Sequence, residues 1–339
     1  MIFIKSATQI SAQQPLSESW MTEPQVLEGD YVRSQDPAFR QWLSPMESRR
    51  LGKLLKRTLV TATEAINNPT SHPSPLPPHP PVDAIITGTG LGCIENTELL
   101  LNQMCREGDE TLKPTNFMQS THNTIGSLIA ISTKCHGYNS TYSHKAVSFD
   151  SALLDAFVQL RLGDISTALV TGNDEMTPSY YTILKRAGYL GQPGQVPATE
   201  ASVAMLLSTE AEGALCELQD IQLASCPQDV PMTDVDAILV GTNGSEKNDR
   251  VYDDLLRQLS ETHSHLHRLP LLHYKHLFGE GYCASALGLY AAAHIINIGA
   301  APAHTRCDGI DEPLPVSRLL MLNHSDGTSF SYILISRLQ

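Results

Sequence analysis

SFDSALLDAFVQLRLGDISTALVTGND, residues 148–174, is the stretch on which the fold turns. Residues 151–162 read as a helix, Gly163 ends it, and ISTALVT (165–171) reads as a strand. A further strand is expected just upstream, near 145–149. A strand, a helix and a returning strand within thirty residues are the unit from which α/β proteins are built.

Working outward, the same alternation continues in both directions. Upstream, a strand at 2–5 is followed by an irregular segment. Leu51, Leu54, Leu55, Leu59, Ala62 and Ile66 then share one face of a single helix spanning Pro45–Asn67. A Pro-rich stretch, residues 68–82, reads as a surface connection inside one domain. AIITG (84–88) is a short β-branched strand whose glycines lead into a helix near 94–107. Its G-x-G-x-G spacing fails the dinucleotide fingerprint, so the tight strand-to-helix turn is the preferred reading. A small-residue helix follows over 126–135. Downstream, strands are expected at 203–208, 236–240, 270–273, 317–322 and 329–336, with helices at 249–261 and 282–297. Two successive strand–helix sets predict two similar halves, roughly 1–210 and 211–339, of mixed sheet covered by helices.

Composition narrows the function. The 339-residue chain carries a formal charge of −13, which argues against nucleic acid. The basic run Arg49, Arg50, Lys53, Lys56 and Arg57 reads first as a solvated helix face, and otherwise as a docking patch for an acidic carrier protein. Seven scattered cysteines, odd in number and without a CxxC pair, read as reduced thiols. With no signal-like N-terminus and no 18-residue apolar run, a soluble cytoplasmic protein is expected, with no membrane segment.

Six segments, in order, resemble the β-ketoacyl synthases, members of the thiolase fold. They are ITGTGLGCIENTELLL (86–101), PTNFMQSTHNTIGSLIA (114–130), the 148–174 stretch, LVGTNGSEKND (239–249), HYKHLFGEGYCASALGLYAAAHII (273–296) and NHSDGTSFSYILI (323–335). The resemblance covers roughly residues 45–339 and implies a thiolase-like α/β fold layered α-β-α-β-α. It implies no cofactor and no metal. Condensation in that family uses a cysteine nucleophile and two histidines. Counted back from Gly163 at the family's spacing, the nucleophile position is Ala146; alignment of the small residues puts it at Phe149–Ser151. The first histidine's place, in the family's HGTGT, is Gly241. The second, in K-x-x-x-G-H, is Glu280, with Lys275 as the lysine. Replacement in three separate motifs implies a catalytically degenerate relative. Ketosynthase relatives without the nucleophile are the chain-length factors, and STHNT and SFDSALLDA resemble the small ketosynthase-like proteins of aryl-polyene and flexirubin-type pigment clusters. That resemblance implies a catalytic ketosynthase partner, in a heterodimer, and an acyl carrier protein. A hydrolase or acyltransferase using Ser151 and His122, and a non-catalytic homodimer binding acyl chains or carrier proteins, are the competing readings.

Candidate cavity-lining residues are His122, Asn123, Phe149, Ser151, Asn243, Lys275 and Glu280. Ser148 or Asp150 is expected to cap the helix that follows. His122 either meets the former active cavity or packs at a helix start. Glu280 would be costly to bury unless paired with Lys275, and an exposed loop position is the favoured reading. The histidines at 263, 265, 267, 273 and 276 match no familiar zinc spacing and read as a loop before a strand.

Overall fold

The structure is a computed structural model that describes residues 1–67, 82–108, 112, 114–225, 234–262 and 269–338. The Pro-rich stretch up to Pro81, Cys226, and His263, His265 and His267 lie outside the described residues.

Ten strands form the main sheet: β1 (Phe3–Ile10), β2 (Ala84–Gly88), β3 (Tyr138–Tyr142), β4 (Thr167–Asp174), β5 (Ala201–Ser208), β6 (Cys216–Ala224), β7 (Ala237–Val240), β8 (Leu271–His273), β9 (Arg318–Ser325) and β10 (Ser329–Ser336). Their order is β8-β7-β9-β10-β6-β1-β5-β4-β2-β3. Strands from residues 3–208 make one side and strands from 216–336 the other, and the sides meet where Phe3 and Ile4 pair with Glu217 and Cys216. The directions repeat. On the first side β2 runs parallel to β3 and β4, and β5 and β1 follow antiparallel. On the second, β7 runs parallel to β8 and β9, and β10 and β6 follow antiparallel.

The helices are α1 (Pro45–Arg50), α2 (Lys53–Ile66), α3 (Ile94–Glu107), α4 (Pro114–Ser120), α5 (Thr124–Thr133), α6 (Ser148–Leu162), α7 (Pro178–Arg186), α8 (Glu246–Thr262), α9 (Lys275–Phe278) and α10 (Ala284–Ile298). Both α6 and α10 touch strands of both sides of the sheet. Thirteen consecutive residues of α10, Ala284–Ile296, are buried, which its small and apolar sequence permits all round the helix. On one outer layer α2 and α5 cover Ile85, Leu169 and Ala204; on the other, Tyr252, Leu255 and Leu259 of α8 cover Ile238, Leu320 and Tyr332. The result is the α-β-α-β-α layering of a thiolase-like fold.

Four local expectations are corrected. The helix over 45–67 is two helices, because Leu51 and Gly52 take extended backbone, and Ser44 caps the first with a reciprocal Ser44–Glu47 box. Residues 145–149 are not a strand. Lys145 adopts φ +49°, a single 3-10 turn follows, and Val147 and Phe149 are buried around the start of α6. The strand lies earlier, at β3, whose polar YNSTY carries no apolar alternation because it is the sheet's outer strand. Neither Ser148 nor Asp150 caps α6: Val147 holds the N-cap position, and Ser148 Oγ donates to Lys145 O instead. Finally, Arg57 is no solvated residue. It is 1% exposed, and donates from Nε to Asp36 (2.5 Å) and from Nη1 to Glu200 (2.8 Å).

Among the described residues, no helix is long and apolar enough to cross a membrane.

Candidate functional site

The carboxyl ends of β7, β8 and β9 open on one cavity of about 130 Å³, at the strand ends where open α/β sheets place their ligands. Ala146, Asn243, Lys275, Glu280, Tyr282 and His324 line it. Four separate segments deliver them. Ala146 sits just before α6, Asn243 follows β7, Lys275 begins α9 after β8, and His324 is on β9.

Glu280 is the hub of the floor. Its Oε2 accepts from Lys275 Nζ at 2.8 Å and from Asn243 Nδ2 at 2.6 Å, and its Oε1 accepts from Gly281 N at 3.0 Å. Its backbone is pinned as well: Glu280 N donates to Pro197 O (2.9 Å) and Thr199 N donates to Glu280 O (2.8 Å). The expected exposed loop glutamate is therefore wrong. The side chains of Lys275 and Glu280 are only 4% and 14% exposed, and each supplies the counter-charge that makes burial of the other tolerable.

Gly241 stands where the resemblance puts the first histidine. A Cβ there would fall 2.5 Å from Tyr252 Oη and 3.1 Å from both Tyr274 Oη and Lys275 Cε. Two tyrosine hydroxyls and the lysine stem thus occupy the space a side chain at 241 would need. Behind Ala146, Asn323 Nδ2 donates to the Ala146 carbonyl (3.1 Å) and lies 3.3 Å from Asp150 Oδ2. Asp150 Oδ1 accepts from Ser331 Oγ at 2.7 Å. Asp150 is fully buried, and loss of solvent raises its pKa.

His324 is not among the candidates the sequence offers, although the NHSDG turn that carries it is a signal for it. Its Nε2 lies 3.2 Å from Asn248 O, and Gly327 N donates to its Nδ1 at 3.3 Å. This fixes the neutral tautomer with the proton on Nε2. Burial, with Lys275 second, pushes its pKa down to about 4.

The remaining candidates are elsewhere. Phe149 is core, packed under Gly88 and Gly172. Ser151 Oγ donates to Val147 O (2.9 Å) and stands 3.5 Å from His144 Nδ1, without lining the cavity. His122 rests against Gly92, and Asn123 occupies the N-cap position of α5 without a side-chain bond; neither lines the cavity. No cysteine lines it either. Cys283 is buried with Sγ against Ala201 O, and burial holds its thiol far above the ordinary range. The rings of His273 and His276 lie 4.0 Å apart. Among the described residues, no group of three or more His, Cys, Asp or Glu is arranged to hold a metal.

Comparison with known proteins places this geometry. The sequence model described as "Beta-ketoacyl synthase, N-terminal domain" matches residues 18–267, about three-quarters of the chain. No curated protein matches the sequence significantly. Among solved structures, the ishigamide ketosynthase/chain length factor is similar with a TM-score of 0.78 at 16% identity, covering 100% of this chain and 99% of that one. A type II polyketide ketosynthase in complex with its acyl-carrier protein, bound to the hexaketide, gives 0.74 at 10% identity, covering 99% of each chain. A ketosynthase in complex with its chain length factor from Xenorhabdus doucetiae gives 0.71 at 13%, covering 99% of this chain and 98% of that one.

Proposed function

The chain belongs to the β-ketoacyl synthase family, and on that premise we propose that it is a catalytically degenerate member. In this reading it acts as a chain-length-factor-like partner of an active ketosynthase extending a polyene or fatty-acyl chain on acyl carrier protein. One observation carries the reading. The cavity receives Ala146, where counting back from Gly163 puts the family's nucleophile, and presents a methyl group there. The second histidine's place holds Glu280, whose carboxylate is already taken by Lys275 and Asn243. A thioester carbonyl in this cavity would meet no nucleophile at Ala146. A carboxylate at its floor opposes the build-up of enolate charge rather than stabilising it.

The partner role rests on surface chemistry and on the company the fold keeps. Two similar structures are described as pairing a ketosynthase with a chain length factor, and a third as a ketosynthase bound to its carrier protein. On the 1–210 half, which we take as one of two similar halves completed by 211–339, β3 is an outer strand whose far edge is unpaired among the described residues. Ile131 on α5, which packs against β3, is exposed, as are Phe117 and Met118 on α4, which packs on α5, and Leu99, Leu101 and Met104 on α3, which packs on α4. An apolar surface beside an open sheet edge suits a protein partner. The carrier is proposed to approach the cavity mouth, where Lys247 lies over the Tyr189 ring at 5.8 Å. Aryl-polyene or flexirubin-type pigment assembly is the narrower setting proposed for this pairing.

The test is a carrier-protein condensation assay with malonyl extender, run on the chain alone and with a candidate ketosynthase. No product alone, together with product or altered chain length when the ketosynthase is added, is expected. Condensation by the isolated chain overturns the reading. The Ser151 hydrolase or acyltransferase alternative has the 3.5 Å approach of His144 in its favour. It requires turnover by the chain alone that disappears in Ser151→Ala.

A further inference from the structure

A second cavity, of about 200 Å³, lies on the far side of Met176, a residue that lines both cavities. It is walled by α2, by the start of α3 and by the segment after β4. Arg57 lines it. Two of that guanidinium's nitrogens are paired, Nε to Asp36 and Nη1 to Glu200, whereas Nη2 is buried and has no hydrogen-bond partner among the described residues. An arginine that is 1% exposed and leaves a donor unsatisfied is costly unless something accepts from it. Glu175 lines the same cavity, with Oε1 accepting from Glu95 N at 2.9 Å. No bond to its Oε2 is made among the described residues.

The charges around the cavity decide what fits. Arg33, Lys53 and Arg57 contribute three positive charges; Glu95, Glu98, Glu175 and Glu200 contribute four negative ones. Arg57 already has two carboxylates, so a third anion would add repulsion from Glu200 and Asp36. A cation would face Arg57 across the cavity. A neutral group that both accepts and donates meets neither objection. Burial raises the Glu175 pKa to about 7, which further weakens any pull on a cation near neutral pH.

We propose that this cavity is a second binding site, taking a small carboxamide whose carbonyl accepts from Arg57 Nη2 and whose N–H donates to Glu175. It stands apart from the family cavity and does not depend on the function proposed for that cavity. Met176, whose backbone N donates to Glu200 Oε2 at 3.1 Å, is the partition between the two.

The experiment is a ligand-observed NMR titration of the full chain with N-methylacetamide, acetate and guanidinium, each as the probe itself. Saturable binding of N-methylacetamide, at least about fivefold tighter than either ion, is expected. Leu99→Trp, at a lining position that is 51% exposed, is expected to fold normally and to weaken that binding about tenfold or more by filling the cavity. Glu175→Leu, which removes the acceptor, is expected to weaken it several-fold. Should Glu175→Leu not fold, Leu99→Trp carries the test. Equal or tighter binding of acetate or guanidinium overturns the proposal. So does the absence of saturable amide binding, or amide binding that Leu99→Trp leaves unchanged.

Discussion

Two strand-to-helix turns open with the same Gly-Thr pair, one on each side of the sheet. GTGLG (88–92) leaves β2, and GTNGS (241–245) follows β7. Each is fastened by an aspartate. In the first turn Asp174, from the end of β4, accepts from Gly90 N (3.0 Å) and Leu91 N (2.6 Å) and from Thr89 Oγ1 (3.0 Å). In the second, Asp249 from α8 accepts from Asn243 N (2.8 Å) and Gly244 N (3.0 Å). The difference lies in what surrounds them. Gly88 and Gly90 are closed in by the backbone of α6 and by Tyr282, whereas Gly241 meets only side-chain ends and Asn243 opens on the cavity. The first turn is closed in by packing, whereas the second lends Asn243 and Ser245 to the cavity wall and packs against main chain only at Gly244, beside Gly194. A glycine turn in this chain is therefore read by its neighbours, not by its motif.

The largest effect should come from adding one methyl to each turn. At Gly88 a Cβ would lie 2.4 Å from Phe149 Cα and N, main-chain atoms that cannot step aside. Gly88→Ala is expected to cost more than about 4 kcal/mol, or to prevent folding. At Gly241 the obstacles are the ends of Tyr252, Tyr274 and Lys275, which can shift, so Gly241→Ala is expected to cost about 1–3 kcal/mol. Denaturant titration of both variants checks this. Equal losses would mean that the second turn is as rigidly packed as the first.

The next test removes charge from the second turn's surroundings. Lys275→Met leaves the Glu280 carboxylate buried without its cation, and about 3 kcal/mol of stability should be lost. Adding Glu280→Gln should recover a good part of that loss. A double variant no more stable than the single one would show that the ion pair is not what holds this floor. A smaller effect is expected from the two aspartates. Asp174→Ala strands buried N–H groups and should cost about 2 kcal/mol, against about 1 kcal/mol for Asp249→Ala, because Gly244, one of the two residues Asp249 holds, is exposed. Reversal of that order would break the contrast between a packed and a solvated turn.

Much of this contrast was legible in the sequence, and the illegible part has a physical cause. β2 and β10 carry buried apolar runs bounded by turn residues, and the structure keeps the expected bounds 84–88 and 329–336. Ala146, Asn243, Lys275 and Glu280 converge because each sits at a strand or helix end fixed by its own segment. What sequence could not supply were partners distant along the chain. Arg57 is buried only because Asp36 and Glu200 come from 21 and 143 residues away, so its helix position alone reads as solvated. Tyr252, on α8, and Tyr274, between β8 and α9, fill the space before Gly241 from two different parts of the chain. β3 was missed because an edge strand needs no apolar alternation, and β6, which was not anticipated, buries only some of its residues.

The smallest expected effect has opposite signs at the two turns. Burial raises the Asp174 pKa to about 7 from an ordinary 3.8, while burial and Lys275 lower that of His324 to about 4 from 6.5. Below pH 7 the folded protein holds a proton at Asp174 that the unfolded chain gives up, so stability from this group rises as pH falls through 7. His324 behaves the other way. Below pH 6.5 the unfolded chain takes up a proton that the folded protein refuses down to about pH 4, so stability is lost as pH falls through this window. Between pH 7 and 6, the two contributions come to about 1 kcal/mol gained at Asp174 and about 0.7 kcal/mol lost at His324. Asp174→Asn should therefore lower the stability at pH 6 relative to pH 7 by about 1 kcal/mol compared with the parent chain, and His324→Gln should raise it by about 0.7 kcal/mol. Denaturation midpoints at the two pH values measure both slopes. Shifts of the same sign in the two variants would mean that the turns do not differ in the way their burial and partners imply.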